Sequence, residues 1–480
     1  MDDGASWPAV LVLIGICAVT ALGGLAGERI RAADTRGVNR PPAPTTAPQE
    51  ENRMNLAPDV AARIEAAVDD AFDAQLDFTR ELVRHPSLRT RESSAQDLMH
   101  EAMERRGLAV DRWELDPEEI SAHPGAGRIT VSYEGVENVV GTYTPAQGGG
   151  RSLILNGHID VVPEGPVGEW SRSPWDAPVI DGWLHGRGSG DMKAGLAANL
   201  FAYDAVRAAG FAPAGRIHFQ SVAEEECTGN GALATVQRGY TADAVLIPEP
   251  EEDMLVRANV GVIWFTVRVA GHPTHPREMA SGFNAIDAAH HVMGRLRVLE
   301  QRWNDERGSH PHFEDLDHPI NFNLGGISGG DWPSSVPAWC ELQVRAAIYP
   351  GVSADDAWEQ IREVLRETTT DDAGNPIEAV GERTGFYAEG YVLPEGTEAE
   401  NVLREAHRTV FKDELRTFTT PGYLDGRVYA LYQGIPALVY GPVSEAIHGY
   451  DERVDVESVR RITKSIALFI AQWCGLEEAA

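Results

Sequence analysis

The sequence predicts an α/β protein: a mainly parallel central sheet, covered by helices and interrupted by an inserted α+β unit. Three observations carry this reading. From residue 150, short apolar runs alternate with stretches of helical periodicity, the pattern left by strands joined through helices. Each of these runs is followed by a polar cluster, and the alternation breaks from about 260 to 385 before resuming.

The elements follow in chain order. Residues 9–27, AVLVLIGICAVTALGGLAG, are uncharged over 19 positions, the lower end of what a membrane-spanning helix needs. Asp2 and Asp3 precede this run and Arg29, Arg31 and Arg36 follow it, the reverse of the charge order of a secretory signal. Read as an anchor, the arginines set a cytoplasmic body behind the Pro-rich stretch Pro41 to Pro48. The favoured alternative is a soluble cytoplasmic enzyme beginning at Met54, where Val60, Ile64, Ala67, Val68, Ala71, Phe72 and Leu76 soon mark an amphipathic helix. Buried strands are expected at Leu153 to Leu155, Ile217 to Val222, Ala244 to Ile247 and Ala437 to Tyr440. Residues 192–209 predict a helix, with Asp191 at its start, where the helix dipole favours a carboxylate. The interruption holds a β run at Val262 to Val269, a helix near 284–299, a Gly-rich strand region and a helix near 354–367. The chain therefore divides into a leader (1–53), a first catalytic part (54–259), an insert (260–385) and a second catalytic part (386–480).

With 73 acidic against 41 basic side chains, the formal charge is -32. A body this acidic repels a polyanion, so nucleic acid is excluded as a partner. The first 53 residues hold 6 acids and 5 bases, so the acidity belongs to the body. Four widely spaced cysteines, Cys17, Cys227, Cys340 and Cys474, contain no CxxC pair, which fits a reducing compartment.

The polar clusters following the strands contain His158 and Asp160, the triplet Glu224-Glu225-Glu226, Glu249 and His448, with Asp191 at the helix start. In open α/β sheets the ligand crevice lies beyond the carboxyl ends of the strands, so these separated clusters can converge there. Histidine, aspartate and glutamate supply the nitrogen and oxygen ligands that suit zinc, manganese or cobalt. Two adjacent glutamates can divide labour, one binding metal and one taking a proton.

The motifs NGHIDVVP (156–163), HGRGSGDMKAG (185–195), SVAEEECTGNGA (221–232), IPEP (247–250) and IHGYDERV (447–454) resemble those of the co-catalytic zinc peptidase family. Its members include acetylornithine deacetylase, succinyl-diaminopimelate desuccinylase, aminoacylase and glutamate carboxypeptidase. The resemblance implies a zinc-peptidase catalytic domain with an inserted dimerisation (lid) domain, and a homodimer. It implies two divalent ions per subunit: zinc, with cobalt or manganese as alternatives. Asp191 would bridge them, with His158 and Glu249 on one ion and Glu226 and His448 on the other. Asp160 would hold the His158 imidazole in its ligating tautomer, and Glu225 would be the general base of a metal-bridging hydroxide. A register slip to Glu224 and Glu225 stays open. In GHPTHPREMASGFNAI (271–286), His275 matches the histidine that stabilises the oxyanion in the partner subunit, with His272 as its competitor. The segment 334–351 departs from the family: Ser334 stands where asparagine is common, and Ala347 where arginine often binds a substrate carboxylate. Either Arg345, two positions earlier, serves or carboxylate recognition differs; Arg427, in a region resembling the family's Thr-Asp-x-Arg turn, is another candidate, equally open to a structural ion pair with Asp425 or another acid. Cys227 and Lys193 are expected to be structural.

The implied function is removal of an N-acyl group from an amino acid or related amine, as in acetylornithine deacetylase. Dipeptide or carboxypeptidase cleavage by the same ligands is the enzyme alternative, and a metal-depleted binding protein on this fold is the alternative of another class. The partner is then a small N-acyl amino acid or dipeptide, with membrane contact only through the leader.

Overall fold

The computed structural model describes residues 56–372 and 374–479, so the apolar run at 9–27, the Pro-rich stretch and Met54 lie outside the described residues. The described chain opens on helix α1 (Pro58–Arg84), which buries Ile64, Val68 and Phe72 at a four-residue spacing and carries Pro58 in its first turn. Helix α2 (Ser93–Arg105) follows, then strands β1 (Ala109–Glu114), β2 (Glu137–Tyr143) and β3 (Leu153–His158). Helix α3 (Ala194–Ala208), β4 (Ile217–Val222) and β5 (Val245–Ile247) complete the first part. The insert comprises β6 (Gly261–Ala270), α4 (Ala285–Asp305), β7 (Phe322–Gly329), β8 (Trp339–Ile348), α5 (Ala354–Glu367) and β9 (Glu378–Ala388). After it come α6 (Glu398–Phe411), β10 (Ala437–Val439) and α7 (Val456–Cys474).

The central sheet has the order β1-β2-β4-β3-β5-β10. Four adjacent strands run parallel: β3 pairs with β4 through Leu153 and Ile217 and with β5 through Ile154 and Val245, while β10 pairs with β5. All residues of β3, β4 and β5 are buried, as strands covered on both faces must be. β1 and β2 extend the sheet as an antiparallel edge. Helix α3 packs against both α1 and α7, and α6 against α7.

The insert folds around its own apolar cluster. Its sheet, in the order β7-β8-β6-β9, is antiparallel throughout. Phe265, Val267, Leu342 and Val344 belong to that cluster with residues of α4 and α5. The intervening Trp264, Thr266, Gln343 and Arg345 line a cleft beside the central sheet, as the period of two requires. The last strand of the insert runs to Ala388, three residues past the expected boundary.

One expected element differs. Helix α3 begins at Ala194 and not at 192, because Asp191 (φ -111°, ψ 93°) and Met192 (φ -131°, ψ 35°) are not helical. Asp191 is thus in a turn ahead of the helix, and its orientation comes from that turn rather than from a cap.

Candidate active site

His158 is the last residue of β3, Asp191 lies in the turn before α3, the glutamate triplet follows β4, Glu249 follows β5, and His448 stands in a loop after β10. The parallel register aligns these strand ends, and five residues expected as ligands meet there. His158 Nε2 lies 2.9 Å from Asp191 Oδ1 and 3.7 Å from Glu249 Oε1. His448 Nε2 lies 3.3 Å from Asp191 Oδ2 and 3.1 Å from Glu226 Oε2. Asp191 therefore gives one oxygen to each histidine. Glu225 Oε2 is 4.0 Å from His158 Nε2 and lines the cleft.

This donor set fits metal. His158, Asp191 and Glu226 each offer a ligand atom within 4.8 Å of the others. Glu226 Oε1 and Glu249 Oε1 are buried and have no hydrogen-bond partner among the described residues. No lysine or arginine among those residues pairs with Asp191, Glu225, Glu226 or Glu249, and four clustered carboxylates without a cation are costly. The electrostatics agree. Burial alone would raise Asp191, yet hydrogen bonds from His158 and His448 hold it well below the usual carboxylate range. Burial pushes Glu249 up to about 7 against the pull of His158, and raises Glu225 well above its ordinary value. Glu226 pushes His448 up to about 11. His158, which burial would lower, is carried well above its usual value by Glu249, Asp191 and Glu225. Each imidazole Nε2 faces carboxylate oxygens, so bound cations would compete with a proton there.

The triplet's three side chains part company. Glu224 is fully buried in a bidentate pair with Arg89, at 2.5 and 2.8 Å. Glu226 turns to His448 and Glu225 to the cleft. Asp160 acts differently from expectation. His158 Nδ1 donates to the backbone carbonyl of Asp160 at 2.8 Å, while the Asp160 carboxylate stands 3.7 Å from that nitrogen. The carboxylate instead accepts the backbone N–H groups of Glu225 (3.3 Å) and Glu226 (3.1 Å).

The cleft has a volume of about 940 Å³. Arg345 lines it, donates to the Pro421 carbonyl at 2.9 Å, and faces no carboxylate partner among the described residues. Burial pulls its pKa down to about 10. Arg427 does not line the cleft. It is buried, and donates to the Glu389 carbonyl at 2.7 Å and the Tyr432 hydroxyl at 2.8 Å, which removes it from the substrate-binding set and also from an ion pair with Asp425. His275 is exposed, accepts from the Arg277 N–H at 3.1 Å, and does not line the cleft of its own chain. Lys193 donates to the Leu82 and His85 carbonyls at the end of α1, a structural role. Burial raises the Cys227 thiol, which disfavours the nucleophilic thiolate.

Sequence reasoning missed Glu452. It is buried and accepts from the N–H groups of Gly188 (3.0 Å), Gly190 and Asp191 (both 3.1 Å) and from Arg187 (2.5 Å), so it fixes the turn that presents Asp191. Its signal was its place four residues after His448. Also missed were Arg89 and the aromatic wall of Trp264, Phe386 and Tyr423, whose rings lie 5.1 and 4.3 Å apart in successive pairs.

A mainly parallel sheet with a histidine–carboxylate cluster at its strand ends, beside an inserted sheet that walls the cleft, defines a metal-dependent hydrolase. The model of peptidase family M20/M25/M40 matches residues 154–472, and the chain belongs to that family. It is accordingly a hydrolase of amide bonds. It is 30% identical over 407 residues to N-formyl-4-amino-5-aminomethyl-2-methylpyrimidine deformylase of Halalkalibacterium halodurans, covering 81% of this chain and 90% of that protein. It is 28% identical over 340 residues to acetylornithine deacetylase of Yersinia pseudotuberculosis, covering 68% and 80%. Among solved structures, it resembles the dipeptidase Dug1p of Saccharomyces cerevisiae (TM-score 0.71, 12% identity, 86% of this chain and 98% of that one). Human carnosine dipeptidase 1 is similar (TM-score 0.69, 15% identity, 86% and 99%).

Proposed function

We propose that this enzyme removes a small N-acyl group from an amino acid or related amine. The observation that carries the reading is the pair of histidines sharing Asp191 among four carboxylates that no lysine or arginine among the described residues neutralises. In this reading two divalent ions, preferably zinc, would be held with Asp191 shared between them: His158 and Glu249 would hold one, and Glu226 and His448 the other. Bound ions of this kind supply Lewis-acid polarisation of a carbonyl and make water more acidic. Glu225, which pairs with no lysine or arginine among the described residues and stands 4.0 Å from His158 Nε2, accepts the proton of the attacking water on a carboxylate oxygen and returns it to the leaving nitrogen. Arg345 orients a carboxylate or another electron-rich end of the substrate through its unpaired donors.

Deacylation is favoured over dipeptide cleavage because the relatives aligned at 28–30% identity are a deformylase and a deacetylase. We further propose residues 260–385 as a lid through which a second copy docks, a reading supported by His275 being exposed and away from the cleft of its own chain. Cys227, Cys340 and Cys474 are free, which suits the cytoplasm; among the described residues no helix is long and apolar enough to cross a membrane. The test is hydrolysis of a panel of N-acetylornithine, other N-acetyl and N-formyl amines, succinyl-diaminopimelate and dipeptides, with zinc, cobalt and manganese. An N-acyl amine should exceed every dipeptide in kcat/KM by at least about tenfold, or about 1.4 kcal/mol. Dominant dipeptide cleavage would reverse the ranking.

A further inference from the structure

The turn carrying Glu225 and Glu226 is clamped from two sides. On one side the Asp160 carboxylate accepts their backbone N–H groups. On the other stands Glu224, whose backbone is left-handed (φ 65°), a conformation a residue with a Cβ adopts only when its surroundings hold it there. Its buried carboxylate accepts from Arg89 Nε (2.5 Å) and Nη2 (2.8 Å), the Tyr133 hydroxyl (2.8 Å) and the Thr228 hydroxyl (2.9 Å). Its backbone carbonyl accepts from the N–H groups of Thr228 (3.0 Å) and Gly229 (2.8 Å). Arg89 lines the cleft and its side chain is 24% exposed, so its fork reaches Glu224 from the substrate side.

The geometry points to Arg89 and Glu224 as positioning residues that set Glu225 against the reacting amide. This inference rests on Glu225 being the proton acceptor proposed above. Two physical reasons support it. A guanidinium fork with two bonds to one carboxylate fixes orientation as well as distance, so the side chain of Glu224 becomes a rigid anchor for the next two residues. Arg89 also neutralises Glu224, which keeps a fifth carboxylate charge away from the four at the centre.

Four variants test it: Arg89→Met, Arg89→Lys, the double variant Arg89→Met/Glu224→Met, and Glu225→Gln as the reference. Arg89→Met is expected to lower kcat about 10- to 100-fold with KM within about twofold, and to weaken cobalt binding to the metal-free protein about tenfold, the usual effect of losing a partner that orients a ligand. Arg89→Lys, retaining one charged donor, should recover part of kcat. The double variant leaves no orphaned buried charge, so its urea midpoint should return toward that of the parent while kcat stays low. Recovery of kcat together with stability in the double variant, or an unchanged kcat in Arg89→Met, would overturn the inference. An active Glu225→Gln would remove the proton-acceptor reading itself; an inactive Glu225→Gln beside a fully active Arg89→Met would remove only the positioning role.

Discussion

Two ligand candidates at the centre are held by groups outside it. His158 is held through the Asp160 carbonyl and Asp191 through the amides bound to Glu452. Arg345 differs: it brings donors into the cleft where, among the described residues, the Pro421 carbonyl alone satisfies one of them. Replacing it by alanine should raise KM for carboxylate-bearing substrates by about 10- to 100-fold, since a hydrogen bond to a charged group is worth about 1.5–3 kcal/mol, with kcat little changed. Steady-state kinetics on an N-acyl amino acid and its carboxamide check this; equal losses on both would deny a carboxylate contact. The candidate ligands were legible in the sequence because each lies in a motif following a strand or before a helix, where residue type and spacing carry the information. Arg427 was not, because its motif gives a residue type but no direction, and burial turns the guanidinium toward Glu389 and Tyr432. Asp160 was half legible: its position was right, but whether carbonyl or carboxylate met the imidazole depends on a backbone turn the sequence does not display.

At the level of elements, the strands were readable and their junctions were not. Ile217–Val222 and the helix Ala354–Glu367 fall where apolar runs and helical periodicity place them. The turn before α3 escaped detection, because Met192 and Lys193 extend a good helical pattern while Glu452, 261 residues beyond Asp191, holds the backbone in another shape. Removing the Glu452 carboxylate with alanine leaves the buried Arg187 without its counter-charge and three backbone N–H groups without their acceptor. A loss of about 3–5 kcal/mol in urea unfolding is expected, together with weaker metal binding. Unchanged stability would show that the turn holds its shape without Glu452.

At the scale of the whole molecule, one sheet supplies the reactive groups and a second sheet walls the cleft. The change from strand–helix alternation to an antiparallel pattern made the insert visible in sequence, whereas the antiparallel edge formed by β1 and β2 was not foreseen, because its partly exposed strands lack a continuous apolar run. Two buried histidines outside the site, His218 on β4 and His407 on α6, tie the fold to pH. Burial lowers each from 6.5 to about 4, with Arg216 adding to the effect at His218. Each stays neutral in the fold and gains a proton on unfolding, so its stabilisation is complete above about pH 6.5 and is lost as pH falls toward 4. The urea-midpoint advantage of the parent over His407→Gln should therefore shrink between pH 7.5 and pH 5; a constant difference would contradict neutral burial. The most direct test of the central claim is turnover of Glu225→Gln measured beside its metal content. Two divalent ions per chain with kcat reduced at least about 100-fold is the predicted result. Loss of an ion, or turnover near that of the parent, would contradict the assignment of Glu225 as proton acceptor beside a two-metal centre.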